Sequence, residues 1–441
     1  MTPRTERLLS APIVPTLARL SAPGVLLVAF QSMVSVGDTY FVGRLGTAPL
    51  AGLALVFPLI MLLQMTSAGA MGGGVSSAIA RALGAGDAHS ARRLVIHALL
   101  IAAAMGAAFT VLILPFGPSV YRLLGGRGET LDLALQYSNV VFGGAIAVWI
   151  ANTLSSVLRG TGNMLVPALG LISAAVVHLP LSASLVLGLG PMPRLGIAGA
   201  GVAYVVTFGI ASLAMAGVVF RPASALRPRA GDFVIERRLF REILRVGGIS
   251  VVSSLQTVLT AVVITGFVGR YGAAALAGYG VGLRLELLQI PLVFAIGQAM
   301  VVLVGTSIGA GRGARAKRIA WVGTAFAASI SLAIGLAAGV FPLAWVGLFS
   351  ADPAVLESGA NYLRTVAPFY PLLAAGIALY FASQGAGQVL RPVLAGTARL
   401  AIVVAGGAIA LSLQAVFITI AVGMVAFGAL TIGFVARAKW S

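Results

Sequence analysis

Two acidic residues, Asp38 and Glu286, stand inside long apolar stretches and are the strongest candidates for chemistry in this chain. The other nine of the eleven Asp and Glu residues fall in connections or near the ends of such stretches. A charged side chain in lipid costs about 2.5 to 3.5 kcal/mol on insertion scales, so an acid placed there marks function by default. Asp38 can take a proton from one side of a membrane and release it in another environment. The alternative is a carboxylate held permanently by a neighbouring donor.

Glu286 lies near the middle of its apolar stretch, and the matching position in the first half of the chain, near Ile60, is apolar. Gln289 shares its helix face at i+3, whereas Arg284 at i−2 points away. Glu286 is therefore a counter-charge for a cationic substrate or a second proton carrier, with a structural ion pair to an arginine as the alternative. The residues that we expect to line a substrate cavity are Glu286, Arg284, Gln289, Gln31 and Gln256.

His178 lies in the fifth apolar stretch, with Ser182 one helical turn further on. Histidine changes charge near neutral pH and can relay protons; a hydrogen-bonded structural histidine is the alternative. Pro180 between them predicts a kink. The three histidines do not cluster and the chain has no cysteine, so we expect no metal site. Neither a catalytic triad nor a nucleotide-binding motif is present, and we expect no enzymatic activity.

Composition indicates a membrane protein. The 441 residues are 59% hydrophobic and 9% charged, whereas a soluble chain is about 25% charged. The basic residues behind the net charge of +18 lie in short connections between apolar stretches, as is typical of the loops of membrane proteins. We therefore expect no nucleic-acid partner. Spans of about 20 apolar residues are predicted at 20–43, 50–71, 94–116, 132–157, 165–189, 197–220, 246–268, 275–304, 319–346, 361–381, 393–410 and 415–435.

The chain repeats itself once. The run Phe41–Arg44 recurs as Phe267–Arg270 at an offset of 226 residues, and Pro167 recurs as Pro392 at an offset of 225. Each half holds six spans, and an even number makes the repeat parallel. We therefore predict an all-α polytopic membrane protein with twelve transmembrane helices in two pseudo-symmetric six-helix lobes around a central cavity. The predicted parts are an N-lobe (1–220), a cytoplasmic linker with a short amphipathic helix (221–245) and a C-lobe (246–441).

Basic residues predict the orientation. The connections on the side of the N-terminus hold 22 Lys and Arg residues, and those on the opposite side hold 5. Positive charge is retained on the cytoplasmic side. We expect a multi-pass membrane protein with both termini in the cytoplasm.

Several motifs together resemble one family, over essentially the whole chain. Gly37–Gly46 is similar to the first-helix signature of the multidrug and toxic compound extrusion (MATE) family, and Gly282–Glu286 resembles its eighth helix. Arg159–Asn163 and Gln384–Gln388, each followed by a proline, resemble its paired connections. The resemblance implies a twelve-helix, two-lobed antiporter of the bacterial cytoplasmic (inner) membrane, which exports cationic and amphiphilic compounds against an inward flow of protons or sodium.

The resemblance also implies roles for particular residues. Asp38 matches the family's cation-coupling acid, Pro23 a proline that lets the first helix bend, and Glu286 a glutamate found in many bacterial members. Many of these members carry an Asn and, four residues later, an Asp on the fifth helix, where this chain has His178 and Ser182. A threonine on the sixth helix that completes the cation site corresponds to Tyr204.

The missing second carboxylate favours protons, with His178 hydrogen-bonded to Asp38; sodium is the alternative coupling ion. We expect a monomeric antiporter that exports cationic or amphiphilic small molecules across the lipid bilayer without a cofactor. A flippase for a lipid-linked saccharide is a second alternative, although Arg284 is the only clear mid-span base. A channel or receptor on the same scaffold is a third.

Overall fold

The computed structural model describes residues 3–440, and within this range the regular structure is helical, without strands. The helices before the linker are α1 (Pro3–Ser10), α2 (Ile13–Gly43), α3 (Thr47–Gln64), α4 (Gly72–Gly84), α5 (Ala88–Leu123), α6 (Gly128–Gly143), α7 (Ala145–Gly160), α8 (Leu165–Leu187) and α9 (Ile197–Val219). The later helices are α10 (Arg237–Gly269), α11 (Ala273–Gly309), α12 (Gly313–Val340), α13 (Pro342–Val346), α14 (Pro353–Val366), α15 (Tyr370–Gly385), α16 (Leu390–Ile409) and α17 (Leu413–Arg437). The π-helical segment Met65–Met71 joins α3 to α4, and 3-10 turns occupy Ala230–Asp232 and Ala367–Phe369.

These helices confirm the predicted twelve spans. Eleven helical runs in the described residues are long and apolar enough to cross a membrane, and α6 with α7, bent by 49°, makes a twelfth when counted as one span. The helices are often longer than predicted: the span predicted at 94–116 is part of α5, which covers Ala88–Leu123. Hydropathy marks only the part of a helix that lies in lipid, and the polar first turns extend beyond it.

The short amphipathic helix predicted in the linker is not a separate element. It forms the first turns of α10, which continues from Arg237 to Gly269 without interruption. The apolar side chains of Leu239 and Ile243 are fully buried. No proline follows Arg237 before the span, so nothing in the sequence ends the helix there.

The described chain forms two compact units. Residues 22–247 form the first unit, and residues 248–440 together with the N-terminal segment up to Ser21 form the second. Arginines at the start of α12 hold this segment in the second unit. Arg312 Nη1 donates to the Leu9 carbonyl at 3.0 Å, and Arg315 Nη2 donates to the Ala11 carbonyl at 2.6 Å. Carbonyls at a helix C-terminus lack partners within the helix and attract positive charge.

Each unit brings two helices close together at the same position of the repeat. In the second unit, a Cβ atom on Gly278 of α11 would lie 2.6 Å from the Gly359 backbone nitrogen of α14. In the first unit, a Cβ atom on Gly52 of α3 would lie 3.1 Å from the Ala134 nitrogen of α6. Small residues let helix backbones approach in membranes, which explains why this glycine occurs in both halves.

Candidate functional site

Asp38, His178 and Ser182 form a buried hydrogen-bonded cluster within the first unit. Asp38 lies on α2, and His178 and Ser182 lie one turn apart on α8. The Ser182 hydroxyl donates to Asp38 Oδ1 at 2.6 Å, and His178 Nε2 lies 3.0 and 2.9 Å from the two carboxylate oxygens. At most 7% of the surface of any of the three is exposed. The spacing of i and i+4 places both α8 side chains on one face, and the structure turns that face toward Asp38.

The contact between His178 and Asp38 requires a proton. A neutral ring nitrogen without hydrogen and a carboxylate oxygen are both acceptors, so a separation of 2.9 Å needs a proton on Nε2 or on the carboxyl group. The Thr207 hydroxyl donates to the Ala203 carbonyl at 2.8 Å, which leaves its oxygen free to accept from His178 Nδ1 at 3.4 Å. Both ring nitrogens therefore lie near oxygen atoms, Nε2 near the Asp38 carboxylate and Nδ1 near the Thr207 hydroxyl.

Thr207, which the sequence did not single out, contacts His178, whereas Tyr204 is near enough to Asp38 for an electrostatic interaction but forms its hydrogen bond with Gln64. The Tyr204 hydroxyl accepts a hydrogen bond from Gln64 Nε2 at 2.5 Å. Both residues lie on α9, three positions apart and so on one face. The available signal for Thr207 was a threonine in an apolar helix, one turn from the expected position. A role for Tyr204 in coupling remains a prediction.

Gln64 begins a second polar network in the first unit. Asn152 Nδ2 of α7 donates to Gln64 Oε1 at 3.0 Å and to Ser67 Oγ at 2.8 Å. Ser67 belongs to the π-helical segment. Nearby on α7, Arg159 donates to the Ser156 hydroxyl at 2.6 Å. π-Helical turns are rare and occur mostly at functional sites. Tyr204 joins this network through its bond with Gln64. The other residues of the network had not been predicted to take part in a site.

Glu286 has a direct partner in the second unit. The Tyr362 hydroxyl of α14 donates to Glu286 Oε2 at 3.0 Å, and both residues are buried. The guanidinium group of Arg399 is near enough for its charge to act on Glu286, and its Nε atom is buried without a hydrogen-bond partner. Tyr362 and Tyr137 occupy matching positions of the repeat, and Tyr137 is in turn near enough to Asp38 for an electrostatic interaction. The duplicated tyrosine was therefore a signal in the sequence for the environment of both acids.

The other predicted cavity residues divide between buried and exposed positions. Gln289 is buried in the second unit, and both polar atoms of its amide lack hydrogen-bond partners. Gln256 donates to Thr397 Oγ1 at 2.7 Å. Arg284 is exposed, with its guanidinium carbon 5.1 Å from the centre of the Phe349 ring. Gln31 is exposed in the first unit. A common cavity for these residues remains a prediction.

The predicted hinge residues both lie inside continuous helices, Pro23 in α2 and Pro180 in α8. The boundary between the two units falls within α2, between Ser21 and Ala22, and Pro23 lies next to it. Within residues 3–440, no group of three or more His, Asp or Glu side chains is arranged to hold a metal ion. The chemistry available at the Asp38 cluster is the binding and release of a proton or a small cation.

Comparison with known proteins gives one consistent result. The MatE family model matches residues 23–184 and again residues 249–409. The two matches together cover well over half of the chain and start 226 residues apart, which is the offset of the internal repeat. The family match and the repeat thus describe the same two halves.

Individual relatives are similar over most of their length. An FAD transporter of Shewanella oneidensis is 29% identical over 377 residues, which cover 85% of this chain and 82% of that protein. The probable multidrug resistance protein NorM of Thermotoga maritima is 24% identical over 380 residues, or 86% of this chain and 81% of that protein. A solved structure of a MOP superfamily transporter from Pyrococcus furiosus has a TM-score of 0.90 and 25% identity, covering 99% of this chain and 98% of that one.

Proposed function

The chain belongs to the MATE family of membrane transporters, and we propose that it is a secondary active antiporter that exports cationic or amphiphilic compounds in exchange for protons. The observation that carries this proposal is the buried contact between Asp38 and His178, in which one nitrogen lies within 3.0 Å of both carboxylate oxygens. In that geometry the carboxylate and the imidazole ring lie close enough to exchange a proton, and we infer that the proton is the ion that drives transport.

The composition of the cluster favours protons over sodium. Hard cations bind several oxygen ligands, and the cluster supplies one carboxylate and the hydroxyl groups of Ser182 and Thr207. The ring of His178 lies against both oxygens of Asp38, where a sodium ion bound to the carboxylate would otherwise sit. A sodium ion would have to displace this ring.

Protonation changes the charge and the hydrogen bonds of the cluster. We propose that an added proton breaks the bond between His178 and the Asp38 carboxylate, and that α2 bends at Pro23 as its partners change. Each proton that moves inward gains about 2.3 kcal/mol per 100 mV of membrane potential. This scheme places both termini in the cytoplasm, in agreement with the distribution of Arg and Lys residues, so that Asp38 is reached from outside.

Glu286 is the group that we assign to substrate recognition. A buried carboxylate with a single hydroxyl donor, Tyr362, is suited to a cationic compound. Gln289, one turn away on α11, carries a buried amide whose donors and acceptor are unpartnered. An amphiphilic cation could satisfy both groups.

A flavin nucleotide is the second candidate substrate. The relative named as an FAD transporter is 29% identical to this chain. Arg399, which is partly buried, supplies a positive charge near Glu286, and such a charge could attract an anionic ligand. Export of FAD and export of ethidium from the same vesicles distinguish the two substrate classes.

Efflux from proteoliposomes under imposed gradients tests the proposal. We expect ethidium transport to follow an imposed pH gradient in the absence of sodium, and to be lost in Asp38→Asn. Asp132→Asn is the matched control, since it makes the same chemical change at an exposed position on α6. Transport driven by a sodium gradient and independent of pH would overturn proton coupling, and full activity of Asp38→Asn would overturn the role of Asp38.

A further inference from the structure

The segment that precedes α10 is fixed to the first unit by its acidic residues. Asp232 accepts from Arg92 Nε at 2.9 Å, and its side chain is only 3% exposed. Glu236 forms an ion pair with Arg93, and the Glu236 backbone N–H donates to His97 Nε2 at 2.9 Å. These contacts attach the segment to the first turns of α5 at two points, four residues apart.

The three residues between these points are apolar and point outward. Phe233, Val234 and Ile235 are 66%, 53% and 71% exposed. Because both flanking carboxylates face α5, the side chains between them cannot turn inward without breaking an ion pair. The fold therefore presents an apolar tripeptide at a surface where water would be an unfavourable neighbour.

The same segment is strongly basic on its outer surface. Its seven arginines, all exposed, are Arg221, Arg227, Arg229, Arg237, Arg238, Arg241 and Arg245. The third acid of the segment, Glu242, is also engaged, by Arg81 at 3.4 Å. The negative charges are thus turned toward the protein, and most of the positive charge is left facing outward.

The position of this surface puts it at the membrane boundary. Arg237 and Arg241 lie one turn apart on α10, so both project from one face. The predicted span begins at residue 246, and at 1.5 Å per residue Arg237 lies roughly 14 Å before it along the helix. Arginine side chains are long enough to reach the headgroup layer from this position before the span.

We propose that Phe233, Val234 and Ile235, together with the exposed arginines of residues 221–245, bind the anionic lipid surface of the membrane on the side predicted to be cytoplasmic. The apolar tripeptide enters the boundary between headgroups and acyl chains, and the arginines contact lipid phosphates. Surface helices and segments of this composition bind membranes in proportion to apolar area and to the negative charge of the lipid.

The test uses one thiol. The chain contains no cysteine, so Val234→Cys allows a single environment-sensitive fluorophore to be attached to the full-length protein. The labelled protein is placed in nanodiscs that contain brominated phosphatidylcholine as the quencher. We expect stronger quenching in discs that contain phosphatidylglycerol than in discs of phosphatidylcholine alone. Arg237→Gln with Arg241→Gln should lower the partition of the segment into lipid by about 30-fold, since each basic residue contributes about 1 kcal/mol at an anionic surface.

A charge-matched variant controls for folding and for nonspecific effects. Arg122→Gln with Arg127→Gln removes two exposed arginines, one in the last turn of α5 and one in the connection that follows. Both lie on the side predicted to be opposite, and their loss should leave the quenching unchanged. Quenching that is equal in both lipids and insensitive to Arg237→Gln with Arg241→Gln would overturn the proposal, as would a label that remains in water in every disc. The measurement does not depend on transport, so its failure leaves the proposed antiport untouched.

Discussion

Replacement of His178 by glutamine isolates the contribution of the imidazole ring to proton coupling. Glutamine can still donate one hydrogen bond toward Asp38, but it cannot carry a proton. We expect His178→Gln to fold and to transport, with a pH dependence moved toward alkaline values. The charged form of Asp38 loses a charge-assisted partner, so release of the proton requires a more alkaline interior.

The size of the shift follows from the contact that is lost. A hydrogen bond to a charged group contributes about 1.5 to 3 kcal/mol; we take the upper end for the histidine, whose ring can itself carry charge, and the lower end for the neutral glutamine amide. The two ends differ by about 1.5 kcal/mol, which corresponds to about one pH unit, since one unit equals 1.36 kcal/mol. The two distances of 2.9 and 3.0 Å are those of a well-formed bond, so no further discount for geometry applies.

The assay is ethidium efflux from proteoliposomes over a series of internal pH values at a constant pH difference. His97→Gln is the control, because His97 is fully buried in the same unit but bonds to the Arg93 carbonyl and the Glu236 amide. A pH profile identical to wild type in His178→Gln would refute the reasoning. The same displacement in both variants would show that it arises from the loss of any buried histidine.

Two further outcomes are expected from residues outside the Asp38 cluster. Tyr362→Phe removes the direct hydrogen-bond donor to Glu286 and should destabilise the protein by about 1 to 3 kcal/mol, measured by thermal unfolding in detergent. Adding Glu286→Gln to this variant should recover most of the lost stability. If no stability is recovered, the pairing of Tyr362 with Glu286 is contradicted. For Asp232, burial alone would raise the pKa, but the Arg229 amide, the Arg92 hydrogen bond and the charges of Arg92 and His89 outweigh it and lower the pKa. A carboxyl group whose folded pKa lies below its unfolded value of about 3.9 stabilises the fold above that value, and this contribution is lost as the pH falls through the folded pKa. Asp232→Asn should therefore lower thermal stability at neutral pH and approach wild type in acid, whereas an equal difference at both pH values would contradict the ion pair with Arg92.

The pairing of His178 with Asp38 was implied by the resemblance to the MATE family, and simple helical geometry is consistent with it. His178 and Ser182 share a face at i and i+4, and only one acid in the first half lies inside a span. Thr207 could not be chosen over Tyr204 in the same way, since both share one face of α9 and the choice depends on how that helix is rotated in the unit. The tyrosine side chain is long enough to reach Gln64 instead. Which partner it reaches is decided by tertiary packing.

Spacing along a single helix could not place Tyr362 beside Glu286, and only the recurrence of Tyr137 as Tyr362 in the repeat pointed to it. Tyr362 is 76 residues away in the sequence, and no periodic pattern relates two helices that are so far apart in the chain. The π-helical segment Met65–Met71 was also not predicted. Its composition is compatible with an ordinary α-helix, and the wider turn accompanies tertiary contacts such as the bond between Ser67 and Asn152.

Proton coupling through His178 and Asp38, as proposed above, would tie drug tolerance to the acidity of the habitat. A cell growing in alkaline surroundings keeps its interior more acidic than the medium, so the chemical part of the driving force reverses and only the electrical part remains. Resistance that depends on this protein should therefore weaken as the medium becomes alkaline, even in high salt. An exporter driven by sodium would keep protecting the same cell.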